Sequence, residues 1–93
     1  MVVGAARVSL QVHGSQSLKA KRGVLRSITR RLQNRFNLSV AEVGGQGTWQ
    51  SAEIGLATVA NEAVTARRRL EKAIAFVEDL HLAEVLGQEV EIW

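Results

Sequence analysis

Four cationic side chains recur at helical spacing in the first half of the chain. They are separated by three, four and four residues, and they are Lys19, Arg22, Arg26 and Arg30. Residues three or four apart lie on one face of an α-helix, and a row of cations there can neutralise successive phosphates of a nucleic acid. Each such contact with a duplex adds about 0.9 to the slope of log affinity against log salt. We predict these four residues as a nucleic-acid-binding site.

The alternative is that this face is only solvated surface. The segment 17–37 holds seven of the twelve lysine and arginine residues of the chain and no acidic residue. Acidic side chains one turn away would stabilise a surface helix by about 0.2–0.5 kcal/mol per pair, whereas here the cations repel one another. All nine acidic residues follow position 41, so the chain is dipolar. This separation of charge favours an anionic partner for the helix.

The elements that carry these residues follow from hydrophobic periodicity. Residues 2–13 alternate between apolar and polar, which predicts a strand with one buried face. Residues 17–37 form a helix that begins at the N-cap Ser17 and ends at Asn37, because asparagine tolerates the left-handed conformation. The side chains predicted to be buried in this helix are Leu18, Val24, Leu25, Ile28, Leu32 and Phe36.

The second half of the chain continues with two more strands, a helix and a last strand. Residues 38–43 and 49–60 alternate on either side of a glycine-rich turn, which predicts a β-hairpin. Asn61 caps a second helix that runs to about His81, with the run Arg67–Arg69 as solvated surface. Residues 85–93 form the last strand. The side chains predicted to be buried in the second helix are Ala63, Ala66, Leu70, Ala73, Ile74, Val77 and Leu80.

The resulting order, β-α-β-β-α-β, predicts an α+β fold of the ferredoxin-like type. We expect one domain over residues 1–93, with a four-stranded antiparallel sheet in the order 4-1-3-2 and both helices on one face. The other face is half apolar, which predicts a homodimer or another protein partner. Trp49 is the candidate interface anchor, with a lid over the sheet edge as the alternative. Because the central strands carry no other aromatic residue, base stacking on the sheet is disfavoured.

Composition excludes several other classes of function. The chain has no cysteine and only two histidines, far apart in sequence, so we predict no metal site and no cofactor. No apolar run approaches the roughly 18 residues of a membrane span, and the N-terminal residues lack the basic region of a signal peptide. We expect a cytoplasmic protein with no membrane partner.

The loop 14–17 before the first helix is a second candidate for binding phosphate. Free backbone N–H groups lie there beside Lys19 and Arg22, although simple capping by Ser17 is the favoured alternative. Small acyl-phosphate hydrolases of this fold place an arginine in the equivalent loop and use an asparagine on the third strand. Residues 49–60 contain no asparagine. We therefore expect no enzyme, since the fold alone does not imply a function.

A set of short segments spread along the chain carries a family resemblance. They are Ser17-Leu18-Lys19 with Lys21-Arg22, Val24-Leu25, Arg31-Leu32, Arg35-Phe36-Asn37, Ser39-Val40-Ala41-Glu42, and Trp49-Gln50 with Ala52-Glu53. These segments resemble the YlxP-like family of bacterial proteins of unknown function, and the resemblance covers essentially the whole chain. It implies a ferredoxin-like fold and no established catalytic residues. One departure is Ala20, where family members often have an acidic residue, so a capping box with Ser17 cannot form.

The resemblance also bears on function. Genes of the family often lie among those for transcription elongation, translation initiation and ribosome maturation, which implies a role linked to translation or the ribosome. We therefore predict a non-enzymatic module that binds RNA or a ribosomal subunit through its first helix. The alternative is a dimeric protein-interaction or structural module with no nucleic-acid role, whose basic helix meets an acidic protein. A remote alternative is an acylphosphatase-like hydrolase.

Overall fold

The alternating N-terminal segment forms a central strand of the sheet. A computed structural model describes residues 1–14, 16–45 and 48–93. Its elements are β1 (Val2–Gln11), α1 (Leu18–Arg35), β2 (Ser39–Gly44), β3 (Ser51–Ala60), α2 (Ala63–Leu80) and β4 (Glu84–Ile92). Every predicted helix and strand is present, and the bounds differ by one to two residues at most ends. None of the helices in the described ranges is long and apolar enough to cross a membrane.

The four strands form one antiparallel sheet in the order β2-β3-β1-β4. This is the predicted order counted from the other edge, and the ferredoxin-like α+β fold is confirmed. β1 pairs with β3 in an unbroken register from Val2 opposite Ala60 to Gln11 opposite Ser51. Its pairing with β4 shifts between Ser9 and Leu10, which is typical of a β-bulge on an edge strand.

The hydrophobic core lies between one face of the sheet and the two helices. The predicted inward side of β1 is buried, and so are the apolar stripes of both helices, except that Ala63 is exposed and several flanking residues are half-buried. Buried side chains that contribute to this cluster include Val8, Leu10, Ile28, Leu32, Leu70 and Ile74. Each such side chain stabilises the fold by about 1.5–3 kcal/mol relative to leaving it in water. Neither α1 nor α2 lies on the opposite face of the sheet.

The helix ends differ from the prediction in two places. Ser17 caps α1 as expected, because its Oγ accepts a hydrogen bond of 3.0 Å from the backbone N–H of Ala20. The predicted left-handed ending at Asn37 is wrong: α1 ends at Arg35, and Phe36 is already extended. The ring of Phe36 packs against Phe76 at 5.6 Å between centroids, and its backbone N–H donates to the carbonyl of Leu32 at 2.9 Å.

The start of α2 was also predicted wrongly. Glu62, rather than Asn61, occupies its N-cap position, and no side chain forms a capping hydrogen bond there. At the other end of α2, His81 adopts the left-handed conformation with a φ of 55°. A favoured residue type therefore marks the start of α1 at Ser17, whereas the predicted caps Asn37 and Asn61 do not occupy the cap positions.

Candidate nucleic-acid interface

The four predicted binding residues lie together on the exposed side of α1. Lys19, Arg22, Arg26 and Arg30 are all exposed to solvent. Their helix has no acidic residue in its first turn and presents a buried stripe on its other side. Among the described residues, the one ion pair joins His13 to Glu84, so none of these four cations is neutralised by a carboxylate within 4.0 Å. The row is therefore available to an external anion.

A shallow depression runs beside the C-terminal half of this row. It is lined by Gly23, Arg26, Ser27, Arg30, Arg31 and Asn34. Gly23 has no atom within 4 Å of where a Cβ would lie, so no neighbouring side chain fills the depression at this position. The Nε of Arg31 donates to Ser27 Oγ at 3.1 Å, which directs this guanidinium along the helix. Three guanidinium groups border the depression, and planar guanidinium groups can donate two parallel hydrogen bonds to a phosphate.

Lys21 was not predicted as a special residue, yet it is the most unusual cation of α1. Its side chain is buried, with 1% of its surface exposed. Its Nζ donates to the backbone carbonyls of Gly45, of Thr48 at 2.5 Å and of Ser51 at 2.9 Å. These three bonds use all three donors of the ammonium group. Lys21 thereby joins α1 to the turn between β2 and β3.

A sequence signal for this burial existed. Lys21 lies three residues after Leu18 and four before Leu25, which is the spacing of the apolar face. Its charge alone argued for solvent exposure.

The loop before α1 acts as a helix cap. The Ser17 hydroxyl satisfies the N–H of Ala20, which confirms the capping interpretation. The phosphate seat predicted at residues 14–17 includes Ser15, which lies outside the described residues. In the same way, the predicted glycine-rich turn includes Gln46 and Gly47, which also lie outside them.

Trp49 lies in the segment between β2 and β3. Its side chain is 55% exposed, and its neighbours Thr48 and Gln50 hold the loop in place through hydrogen bonds to Lys21 and to the backbone N–H of Val12. The sheet face that the helices leave open has a hollow in its surface. Trp93 lines this hollow, and Trp49 does not. Its role as an interface anchor stays a prediction.

The arginine run on α2 is not uniformly solvated. Arg67 and Arg68 are exposed, as predicted, but Arg69 is half-buried. One of its terminal nitrogens donates to Thr58 Oγ1 at 2.5 Å and to the carbonyl of Val59 at 3.0 Å. Thr58 in turn donates to the carbonyl of Asn37 at 2.8 Å. The prediction was therefore wrong for Arg69, because its guanidinium reaches polar groups at the end of β3.

Comparison with known proteins assigns the chain to a family. A family model described as "Protein of unknown function (DUF503)" matches residues 3–90. The chain belongs to the DUF503 family. A DUF503-like relative, the "Uncharacterized protein YlxP" of Bacillus subtilis (strain 168), is 38% identical over 77 residues, which is 83% of this chain and 84% of the relative. The resemblance to the YlxP-like family is thus confirmed.

Solved structures share the fold of this DUF503 chain at low sequence identity. A protein titled "Structural Genomics, protein YJCS" aligns with a TM-score of 0.59 and 11% identity, covering 96% of each chain. LarC2, described as the C-terminal domain of a cyclometallase, aligns with a TM-score of 0.54 and 10% identity over 100% of this chain and 55% of its own. These likenesses support the ferredoxin-like fold only.

In the described part of this DUF503 chain, His13 Nε2 lies 2.8 Å from Glu84 Oε2. No group of three or more histidine, cysteine, aspartate or glutamate side chains that could hold a metal ion is found there. The exposed cations of α1 are the candidate site, since among the described residues no carboxylate lies within 4.0 Å of them.

Proposed function

We propose that this protein is a non-enzymatic, cytoplasmic module that docks structured RNA of the ribosome through the exposed cations of α1. The observation that carries the proposal is the row Lys19, Arg22, Arg26 and Arg30, exposed on one helix face with no carboxylate neutralising it among the described residues. Guanidinium and ammonium groups bind phosphate oxygens through charge-assisted hydrogen bonds, which are about twice as strong as neutral ones.

The length of the row suits a nucleic-acid backbone. Lys19 and Arg30 are eleven positions apart, which corresponds to about 17 Å along a helix at 1.5 Å per residue. One strand of a duplex presents a phosphate roughly every 3.4 Å along its axis, so several phosphates lie within reach of the row. The depression bordered by Arg26, Arg30 and Arg31 adds a groove in which a backbone segment can lie.

Charge elsewhere on the molecule would orient the complex. The acidic residues belong to the strands β2, β3 and β4, to α2 and to the residue before it. Carboxylates on those elements repel phosphates, and the cations of α1 attract them. A dipolar module of this kind approaches a polyanion with one side first, which speeds a correctly oriented encounter.

Charge reversal on α1 tests the proposal. The variant Arg22→Glu/Arg26→Glu should lose binding to fluorescently labelled ribosomal RNA fragments by at least tenfold at about 100 mM salt. The slope of log affinity against log salt should fall by about two, because two phosphate contacts are lost. Fluorescence anisotropy titrations at several salt concentrations measure both quantities.

The matched control is Arg67→Glu/Arg68→Glu, which makes the same charge change at two exposed positions of α2. This control should bind RNA within about threefold of the wild type. Absence of RNA binding by the wild type at low salt would contradict the proposal. Equal losses in both double variants would also contradict it, since they would indicate a response to net charge and not to a site. If an acidic protein binds α1 and RNA does not, the alternative of a protein-interaction module is favoured.

A further inference from the structure

The open face of the sheet, which the helices do not cover, divides into two halves. The low half carries small side chains, and the high half carries mostly large ones. In one row across the sheet, Ala41 pairs with Gly55, Gly55 with Arg7, and Arg7 with Glu89. The next row holds Ser39, Ala57, Ala5 and Glu91 in the same order. The low half, on β2 and β3, thus carries glycine, alanine and serine in these rows. The high half, on β1 and β4, carries Arg7, Glu89 and Glu91 together with Trp93, besides the small Ala5.

These two halves make a concave surface. A hollow of about 550 Å³ is lined by small residues of β2 and β3 and by the larger side chains of the high half. Val43 closes one side, because its Cγ1 lies 3.0 Å from where a Cβ on Gly55 would be. Val43 and Trp93, which both line the hollow, are 46% and 65% exposed. Exposed apolar side chains around a hollow of small residues are typical of an interaction surface.

We propose that a second copy of this chain occupies the open face, with its high half in the low half of the first copy. A two-fold axis parallel to the strands and between β1 and β3 produces this arrangement. It puts β4 of each copy over β2 of the other, so that Glu89 and Glu91 stand over Ala41 and Ser39. Because a two-fold interface uses the same patch on both copies, one hollow and one raised half per chain suffice for mutual complementarity.

Charge supports the same axis. Arg7 is exposed and forms no ion pair among the described residues, although Glu89 is opposite it on β4. The axis puts β3 of the second copy over β1 of the first, which brings Glu53 of that copy over Ser9. Residues two apart on a strand lie about 7 Å from each other, within reach of an arginine side chain. Arg7 of each copy would thus meet a carboxylate of the other.

The face is large enough for a specific dimer. Three of its strands have nine or ten residues, and strands about 4.8 Å apart with a rise of about 3.3 Å per residue give roughly 19 by 30 Å. This is about 570 Å² per copy, or about 1,100 Å² in total, above the roughly 1,000 Å² expected of a specific interface. Stacked sheets lie about 10 Å apart, so side chains from both faces would fill the space between them.

This inference is independent of the proposed RNA site. The helices cover the other face of the sheet, so the cations of α1 stay exposed in the dimer. A monomeric protein could still bind RNA through α1, so failure to dimerise would not contradict the proposed function. Likewise, a protein that does not bind RNA could still dimerise.

Filling the low half tests the dimer. Ala57 is exposed, and Ala57→Glu puts a larger, negative side chain against Ala5 of the second copy, beside the strand that carries Glu91. Sedimentation velocity between about 1 and 100 μM should show a dimer for the wild type and a dimer dissociation constant at least tenfold higher for the variant. The matched control is Ala75→Glu on α2, an exposed alanine that faces away from the sheet, and it should dimerise like the wild type.

Two further measurements keep the test decisive. Ala41→Glu repeats the change on the edge strand β2, with circular dichroism melts to show that each variant is folded. Trp93→Ala should weaken the dimer, whereas Trp49→Ala should not, since only Trp93 lines the hollow. The proposal is overturned if the wild type stays monomeric over this range of protein concentration. This holds even if a peptide or a small molecule is found to bind in the hollow. The proposal is also overturned if the dimer survives both glutamate variants or depends on Trp49 alone.

Discussion

Lys19 and Lys21 lie in the same turn of α1 and have opposite environments. Lys19 is exposed, whereas Lys21 has 1% of its surface exposed and donates hydrogen bonds to three backbone carbonyls. The count of basic residues therefore overstates the charge that α1 offers to a ligand. Which cations can bind a partner is decided by how the helix packs, because packing selects the side that faces the sheet and the hairpin turn.

The buried cation is tolerated because its environment replaces water. An unpaired ammonium in an apolar interior is strongly unfavourable. At Lys21, three carbonyl oxygens accept its three N–H groups, and its alkyl stem packs in the position of an apolar residue. In return, the ammonium satisfies three carbonyls of a turn that has no regular secondary structure over residues 48–50. The contact links residues 24 to 30 positions apart in sequence.

The largest effect is expected from removing this buried cation. Lys21→Met keeps most of the side-chain volume but leaves the carbonyls of Gly45, Thr48 and Ser51 without the ammonium. We expect the free energy of unfolding to fall by about 2–4 kcal/mol, since breaking a buried polar network costs this much. Urea unfolding followed by circular dichroism measures the change, and Lys19→Met should stay within about 0.5 kcal/mol of the wild type.

A second variant at this position separates charge from geometry. Lys21→Arg keeps the positive charge, but a planar guanidinium does not fit three carbonyls that converge on one nitrogen. We expect it to be destabilised by at least about 1 kcal/mol. Wild-type stability of Lys21→Met would mean that the three hydrogen bonds contribute nothing net, and the contrast with Lys19 would then disappear.

An intermediate effect is expected on α2, where the same contrast recurs in a weaker form. Arg69 is half-buried and bonded to Thr58 and to the carbonyl of Val59, whereas Arg68 is exposed. Arg69→Met should lower the free energy of unfolding by about 1.5–3 kcal/mol, because hydrogen bonds from a charged donor contribute this much. Arg68→Met serves as the matched control in the same urea titration and should change it by less than about 0.5 kcal/mol. Equal values for the two variants would show that the Arg69 contacts add nothing to stability.

Much of the fold, and less of the site, was predictable from the sequence. Hydrophobic periodicity predicted the six elements because a buried face requires a regular apolar pattern, and their β-α-β-β-α-β order predicted the strand order. The exposed row on α1 followed from the same pattern. The acceptors of Lys21 did not, since they are backbone carbonyls of a turn that no side-chain pattern describes. Trp93 was missed as a lining residue because its position depends on how the chain end pairs with β1, where Trp93 and Val3 exchange backbone hydrogen bonds.

The smallest effect is expected at the start of α1, where one cap supports both kinds of cation. Ser17→Ala removes the hydroxyl that accepts the Ala20 N–H at 3.0 Å, and loss of an N-cap costs about 1 kcal/mol. Thermal melts should show a fall in Tm of about 4–8 °C, the shift per kcal/mol for a domain of this size. RNA affinity at 25 °C should change less than about twofold, because Lys21 still anchors the first turn and Lys19 and Arg22 keep their orientation. If RNA affinity instead falls as far as in the charge-reversal variant, the N-terminal turn itself contacts the phosphates. The assignment of Lys21 to stability and of the exposed cations to RNA binding would then be wrong.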